Sequence, residues 1–363
     1  TYGLTHNGSW DWGKSLVFLK REDSEIQDFN SRYDAPQDRT LEEENTYFKA
    51  YASTELGANA LTAGIEYRDQ TLQDAISYTD SGSESVATTS LFAQDEIAIT
   101  DRFNLTLGGR VDDHEFFGNH FSPKVFVTYV LSDAIVLKGG VSEAFKAPDA
   151  YQSAEQYQII SCGGSCYIPG NPDLKPETST NIEAGIEVRE NDWRLSAVIF
   201  DNDVVDQIQA SYDAATNSRM WINLTDSHTR GIELDGRVAL TEVIAISGNL
   251  THMFKAEYSS GGDAIDVEHQ PETMANLSLN WQITDALNGN VSANYMGDQV
   301  DWSGNDLPAY TRTDVTGSYD LSDAVGLRFG IKNIADVDLE RENDSFYSRE
   351  LGRNYFVSAN YSF

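Results

Sequence analysis

The chain of 363 residues is short of several things, and each shortage excludes a class of protein. Basic residues are few. Against 25 Lys and Arg stand 58 Asp and Glu, a net charge of −33. Phosphate backbones attract cations, so nucleic acid is excluded as a partner. Such an acidic surface either holds divalent cations or is solvated, and solvation is the simpler reading. Cysteine occurs only at 162 and 166. That spacing suits a small disulfide in an oxidising compartment, with Gly163, Gly164 and Ser165 permitting a tight ring. A zinc site would need four ligands, and no His pair stands at ligand spacing nearby. No run approaches the roughly 18 apolar residues of a membrane helix, and mean hydropathy is negative. Helical periodicity is missing throughout. So are a Gly-x-Ser-x-Gly elbow, a Walker loop and a dinucleotide fingerprint. No covalent chemistry is implied, and the chain is read as not an enzyme. Nor does a basic, apolar leader open it at Thr1, so a mature, excised or fragmentary chain is expected.

What is present is alternation. Phe103, Leu105, Leu107, Gly109 and Val111 interleave with Asn104, Thr106, Gly108, Arg110 and Asp112. Leu61, Ala63, Ile65 and Tyr67 interleave with Thr62, Gly64, Glu66 and Arg68, and Ala275, Leu277, Leu279 and Trp281 with Asn276, Ser278, Asn280 and Gln282. A period of two gives each strand an apolar and a polar side. In a barrel with a polar lumen this pattern hides a membrane span from any hydropathy scan.

Connections come in two kinds, and these alternate. Tight ones stand at Asn7-Gly8-Ser9, Leu56–Asn59, Thr100-Asp101, Ser132-Asp133, Glu190–Asp192, Thr241-Glu242, Thr284-Asp285 and Ser322-Asp323. Thr or Ser before Asp makes a short turn through local side-chain bonds. Long ones cover 21–40, 74–86, 116–120, 146–177, 211–218, 258–271, 301–308 and 336–353. Short turns on one rim and long loops on the other describe an outer-membrane barrel. The fold class read from this is all-β, a transmembrane antiparallel β-barrel of about 17 strands. The last strand is expected at 354–363, with Tyr355, Val357, Ala359, Tyr361 and Phe363 on one side. The 18 Tyr, 16 Phe and 6 Trp would supply interfacial girdles.

The stretch from Glu143 to Glu183 is the most distinctive. It holds Phe145-Lys146-Ala147-Pro148, Tyr151-Gln152, the Cys pair, and Gly170-Asn171-Pro172-Asp173-Leu174-Lys175-Pro176-Glu177-Thr178-Ser179. With Arg230-Gly231-Ile232-Glu233-Leu234, these phrases resemble the TonB-dependent outer-membrane receptors, and the Cys pair within the loop resembles the ferric enterobactin and catecholate-siderophore branch. The resemblance implies a plugged barrel of about 22 strands. Residues 1–363 would then be its C-terminal barrel domain, with a disulfide-stapled extracellular loop at 146–177 and with the plug and first strands outside the chain. The implied function is uptake of a ferric siderophore, with iron arriving as part of the ligand and no resident cofactor. Implied partners are TonB with its inner-membrane energising complex, acting through the plug, together with lipopolysaccharide and the barrel-assembly machinery. Haem, cobalamin or a hydroxamate would keep the fold and change the loops. A passive porin is the rival of another class.

Ferric catecholates are anionic and flat, so their site needs Arg or Lys beside aromatic rings. Candidates on the long loops are Arg21, Arg32, Tyr33, Lys146, Tyr151, Tyr157, Tyr167, Arg219, Trp221, Lys255, Tyr258, Arg341, Tyr347 and Arg349. Any one of them alone is better explained as a solvated charge or a loop-packing ring. The set carries the reading, and it requires a locally basic site within an acidic shell. Asp201, Asp203 and Asp206 resemble a calcium loop without its Gly and bidentate Glu. His252 and His269 flank one loop, which makes haem ligation conceivable, but scattered polar histidines are the plainer account. In the lumen, Glu66, Asp112 and Glu187 are expected to pair with Arg68, Arg110 and Arg189, and Arg230 and Glu233 to be structural.

Overall fold

The computed structural model describes residues 1–31, 37–213, 218–223, 226–260, 263–301, 303–339, 343, 346 and 351–362. These form one antiparallel sheet of 18 strands, of which the short Asp263–Asp266 only extends the end of a neighbour. The wall strands are β1 (Tyr2–Trp10), β2 (Gly13–Asn30), β3 (Gln37–Leu56), β4 (Asn59–Gln73), β5 (Ser83–Thr100) and β6 (Phe103–His114). They continue as β7 (Gly118–Ser132), β8 (Ile135–Lys146), β9 (Glu177–Arg189), β10 (Trp193–Val205), β11 (Asp226–Ala239) and β12 (Ile244–Ser260). The last are β13 (Thr273–Gln282), β14 (Leu287–Met296), β15 (Tyr310–Ser322), β16 (Val325–Lys332) and β17 (Asn354–Tyr361). Each pairs with the next in the sequence, including β8 with β9 across the stapled loop. Among the described residues β1 pairs only with β2, and β17 only with β16.

The alternation sorts side chains as expected. Leu195, Ile199, Ile186 and Leu277 are 40–57% exposed on the outside, with no dry core behind the wall. On the inner face, amides and hydroxyls form a ladder. Asn276 donates to Asn249 at 2.8 Å, and Asn290 donates to Ser278 at 2.6 Å and to Asn280 at 3.0 Å. Trp10, Trp12, Tyr129, Trp193, Trp281, Tyr319 and Tyr361 are exposed at the short-turn end, and Tyr2, Phe121, Phe254, Tyr295 and Tyr355 towards the other. These are the two aromatic girdles of a membrane barrel.

The turn chemistry is visible. The hydroxyl of Thr100 accepts from the backbone of Arg102 and Phe103, that of Thr241 from Val243 and Ile244, and that of Thr284 from Ala286 and Leu287. Two expectations need correcting. Asn7-Gly8-Ser9 is not a turn, since β1 runs through it and the chain reverses at Asp11-Trp12. Gly8 serves packing instead: a Cβ there would lie 2.4 Å from Trp10 Nε1, which donates to Ser15 Oγ at 2.8 Å. Likewise 21–40 is mostly strand, because β2 and β3 pair in register from Lys14–Ser53 up to Asn30–Gln37. Polar residues on both faces hid that extension, which stands clear of lipid and needs no apolar side. Buried apolar residues gather at the long-loop rim, where Leu307, Leu339 and Phe346 cluster with Tyr310 and Val337.

Candidate ligand site at the long-loop rim

The stapled loop is ordered by its own sequence. Ala150–Ser153 is a single helical turn whose Gln152 side chain accepts from the Asp149 N–H at 2.9 Å. Gln158–Ser161 and Cys166–Pro169 then pair as a hairpin, closed by the Cys162–Cys166 disulfide. Gly170 must lack a side chain, because a Cβ there would fall 1.9 Å from the Ala154 carbonyl oxygen. The Gly170–Lys175 phrase stitches the loop to a neighbouring hairpin, Ile208–Asp213 with Ser218–Asn223. Asn171 Nδ2 donates to the Trp221 carbonyl at 2.8 Å, and Asn223 exchanges bonds with the Lys175 backbone at 2.9 Å in both directions.

On its other side the stapled loop joins the loop at 74–82. Tyr78 and Tyr157 form an antiparallel bridge, Thr79 N donates to Gln156 O at 3.0 Å, and Gln158 N to Ser77 O at 2.9 Å. Asp74 holds that loop by accepting from the backbone of Ile76 and Ser77 and from the Arg39 guanidinium. Burial alone would raise the Asp74 carboxyl, but bonds from Arg39 and Ser77 and the Arg39 charge hold it below its ordinary value.

An aromatic chain crosses this platform. Tyr78 and Tyr157 rings lie 5.0 Å apart, Tyr157 and Tyr151 5.7 Å, and Tyr151 meets Trp221 edge-on at 5.8 Å. Burial, then the nearby Asp149, pushes the Tyr151 phenol up to about 12, so it stays protonated. Arg219 donates to Ser161 Oγ at 3.2 Å. The described structure thus gathers Tyr151, Tyr157, Arg219 and Trp221 into one unit. Tyr167 is exposed on the stapled hairpin, and Lys146 is paired to Glu177 at 3.2 Å at its foot. Others lie apart. Arg21 shares the outward parity of Val17 and Leu19 and is paired to Asp23 and Glu44. Lys255 is paired to Glu257, and Tyr258 donates to Glu268 at 2.9 Å. Arg32, Tyr33, Arg341, Tyr347 and Arg349 lie outside the described residues.

The lumen wall carries a charged constellation that includes none of the loop candidates. Arg110 donates to Asp112 at 2.8 Å, to Ser90 Oγ at 2.7 Å and to Glu66 at 3.2 Å, while Lys49 approaches Glu66 at 3.4 Å. Arg68 is not Glu66's partner. Its guanidinium sits 5.9 Å over the Tyr47 ring, with no ion pair among the described residues. Arg189 and Lys138 share Glu187. A cavity of about 590 Å³ opens here, bounded by Arg68, Arg110, His114, Phe145 and the Lys146–Ala150 segment. The signal was available: Arg68 and Arg110 fall on inward positions near the long-loop ends of their strands, and Tyr47 and Lys49 on the inward positions level with Arg68 and Glu66. Inward cations beside an aromatic ring can hold a flat anion.

The profile of the family described as "TonB dependent receptor-like, beta-barrel" matches residues 1–334. The ferric enterobactin receptor of Pseudomonas aeruginosa is 29% identical over 434 residues, covering 100% of this chain and 58% of its own length. An iron-regulated outer membrane virulence protein of Vibrio cholerae is 29% identical, over 99% of this chain and 56% of its own. Among solved structures, the receptor PfeA of Pseudomonas aeruginosa, in a complex with enterobactin, superposes at a TM-score of 0.85 with 26% identity, covering 100% of this chain and 62% of that one. The siderophore receptor PirA of Acinetobacter baumannii does so at 0.85 with 27% identity, covering 100% and 62%. The chain therefore spans a little over half the length of the curated relatives it matches. It is a β-barrel of the bacterial outer membrane, and it belongs to the TonB-dependent receptor family.

Proposed function

We propose that the protein to which this chain belongs takes up a ferric siderophore, of the catecholate class, across the outer membrane. The observation that carries the reading is a lumen site where Arg68, Arg110 and Lys146 stand among Glu66, Asp112, Glu143 and Asp149, below a loop that carries the phrases resembling TonB-dependent receptors and the Cys pair resembling their catecholate branch. Arg68 over Tyr47, with Arg110 behind, offers positive charge and a ring face to an anionic, planar complex. The Glu143–Ala150 segment closes one side of it, and the Tyr78–Tyr157–Tyr151–Trp221 chain belongs to the loop that this segment leads into. Stacking and charge then act together on one ligand.

In this reading the wall is a static receptor surface, and transport requires a plug moved by TonB. The free edges of β1 and β17 are paired by further strands in the membrane, since unsatisfied edges in lipid cost several kcal/mol per backbone group. Lipopolysaccharide contacts the outer girdle, and the barrel-assembly machinery inserts the wall. Binding of ferric enterobactin to the intact receptor, followed by quenching of intrinsic fluorescence, tests the proposal. Saturable binding, with uptake that ceases without TonB, supports it. Conductance without ligand or TonB in planar bilayers, and no catecholate binding, would overturn it in favour of a passive channel.

A further inference from the structure

Three metal-ligating side chains converge far from the lumen. Asp201 and Asp203 on β10 face His228 and Arg230 on β11, in the register Asp201–Arg230 and Asp203–His228. Their parity is outward, because Leu195 and Ile199 on β10 and Ile232 and Leu234 on β11 alternate on the same side. Ile199 and Ile232, directly paired, are the next outward residues towards the short-turn rim. The cluster therefore sits on the outer wall just above the apolar band, at headgroup level.

We propose that Asp201, Asp203 and His228 form a divalent transition-metal site on the outside of the barrel. One ligand atom from each lies within 4.8 Å of the others. His228 Nε2 and Asp201 Oδ1 are 3.0 Å apart, the separation of two ligands on one ion at metal–ligand distances of about 2.0–2.2 Å. Asp203 Oδ1 stands 3.8 Å from the other ring nitrogen, Nδ1, so its side chain, 60% exposed, must swing round the imidazole to join Asp201 at Nε2. The Arg230 guanidinium takes the other oxygen of Asp201, which fixes that carboxylate and leaves Oδ1 towards the imidazole. Two carboxylates against one guanidinium leave a net negative charge. Lys255, opposite Arg230, is neutralised by Glu257 at 3.1 Å.

One imidazole and two carboxylates suit zinc, cobalt or manganese better than calcium or magnesium, which take oxygen alone. Three protein ligands leave positions open on the solvent side, where anionic headgroup phosphates lie. The site does not rest on the siderophore reading, since it shares no residue with the lumen or the loop platform.

The test is titration of the intact receptor in detergent with Zn²⁺ by calorimetry and with Co²⁺ by visible absorption. One equivalent of Zn²⁺ is expected, with His228→Ala and Asp203→Asn each weakening it tenfold or more and removing the Co²⁺ band. Arg230→Gln, by releasing Asp201 Oδ2, tightens binding a few-fold. Heat-modifiable electrophoretic mobility verifies that each variant is folded, as expected for exposed positions. Zn²⁺ uptake unchanged in His228→Ala, no saturable binding to the unaltered receptor, or a preference for Ca²⁺ over Zn²⁺ would each overturn the site.

Discussion

Arg39 and Asp74 form an ion pair from which water is almost excluded, their side chains 13% and 0% exposed. One belongs to the wall and the other to the loop at 74–82, so the pair is the rivet by which a rim loop is fixed to a strand. Asp74 spends its second oxygen on the backbone of Ile76 and Ser77, which shapes the turn that carries Tyr78 to Tyr157.

The pH dependence of that loop follows from the sign of the Asp74 shift. Its folded value lies below the ordinary carboxyl value. Its contribution is therefore complete above that ordinary value, about 3.9, and is lost as pH falls through the folded value. The protection factors of the amides in 74–82, relative to the intrinsic exchange rate at each pH, are expected to be flat from about pH 8 to 5 and to fall below about pH 4. In Asp74→Asn they should be low at every pH, because breaking a buried pair from one side costs about 3–5 kcal/mol. A loop as protected at pH 3 as at pH 7, or in Asp74→Asn as in the unaltered protein, would show the pair to be incidental.

Gly170 tests how far the stapled loop depends on its seam. A methyl group placed 1.9 Å from the Ala154 carbonyl oxygen cannot be accommodated without separating the helical turn at 150–153 from the segment that follows. Overpacking of this kind costs about 1–3 kcal/mol. Gly170→Ala is expected to weaken ferric enterobactin binding several-fold while leaving barrel thermal stability unchanged, since no wall strand is touched. Asn171→Ala removes the bond to the Trp221 carbonyl and should act in the same direction. Unchanged affinity in both would mean that the seam does not position the ligand platform.

How much of this could be read from the residues alone depended on what each residue had to satisfy. Strands in lipid answer to one rule, apolar out and polar in, so the wall was legible from Leu105 or Leu277. Thr100, Thr241 and Thr284 announced their turns through local bonds. Above the membrane that rule lapses. The upper parts of β2 and β3 carry carboxylates on both faces and read as loop, although their backbones pair throughout. Asn7-Gly8 was misleading because the sequence favours a turn and the Trp10 ring lying over Gly8 does not. The rim platform was half legible: the phrases at 145–179 marked the stapled loop, but its seam to Asn223 and its rivet through Asp74 are long-range pairings with no local signature. Arg68 and Arg110 were legible only as lumen charges awaiting carboxylate partners, because nothing local in the sequence shows that Arg68 lies over Tyr47 instead of pairing with Glu66.

Arg68 and Arg110 separate binding from stability. Arg110 is held by Glu66, Ser90 and Asp112, and Ser90 in turn donates to Asp112 at 2.6 Å. Removing it leaves Asp112 without a cation and Glu66 with Lys49 alone, so Arg110→Ala is expected to lower the unfolding temperature and binding together. Among the described residues Arg68 makes no ion pair and lies over the Tyr47 ring. Its loss should leave the wall intact and cost the ligand a nearby cation, about 0.5–1 kcal/mol at an exposed site, or roughly two- to fivefold in affinity. Tyr47→Leu should produce part of the same loss. If Arg68→Ala binds ferric enterobactin as tightly as the unaltered receptor, the lumen site is not where the complex rests.

The disulfide gives the last test, and its expected effect is small in energy and local in extent. Cys162 and Cys166 are four residues apart, so the ring they close is short. Loop-closure entropy for so short a ring is about 2 kcal/mol. That is enough to hold the hairpin of 158–169 but irrelevant to the wall. Replacing both cysteines by serine is expected to expose the tip of the hairpin to protease and to raise the rate of ligand release several-fold. The Tyr78–Tyr157 bridge and the Arg39–Asp74 pair lie below the staple and should survive, so amide protection of 74–82 should not change. If protection of 74–82 collapses along with the hairpin, the staple rather than the rivet organises the rim, and the order of dependence argued for the loops is reversed.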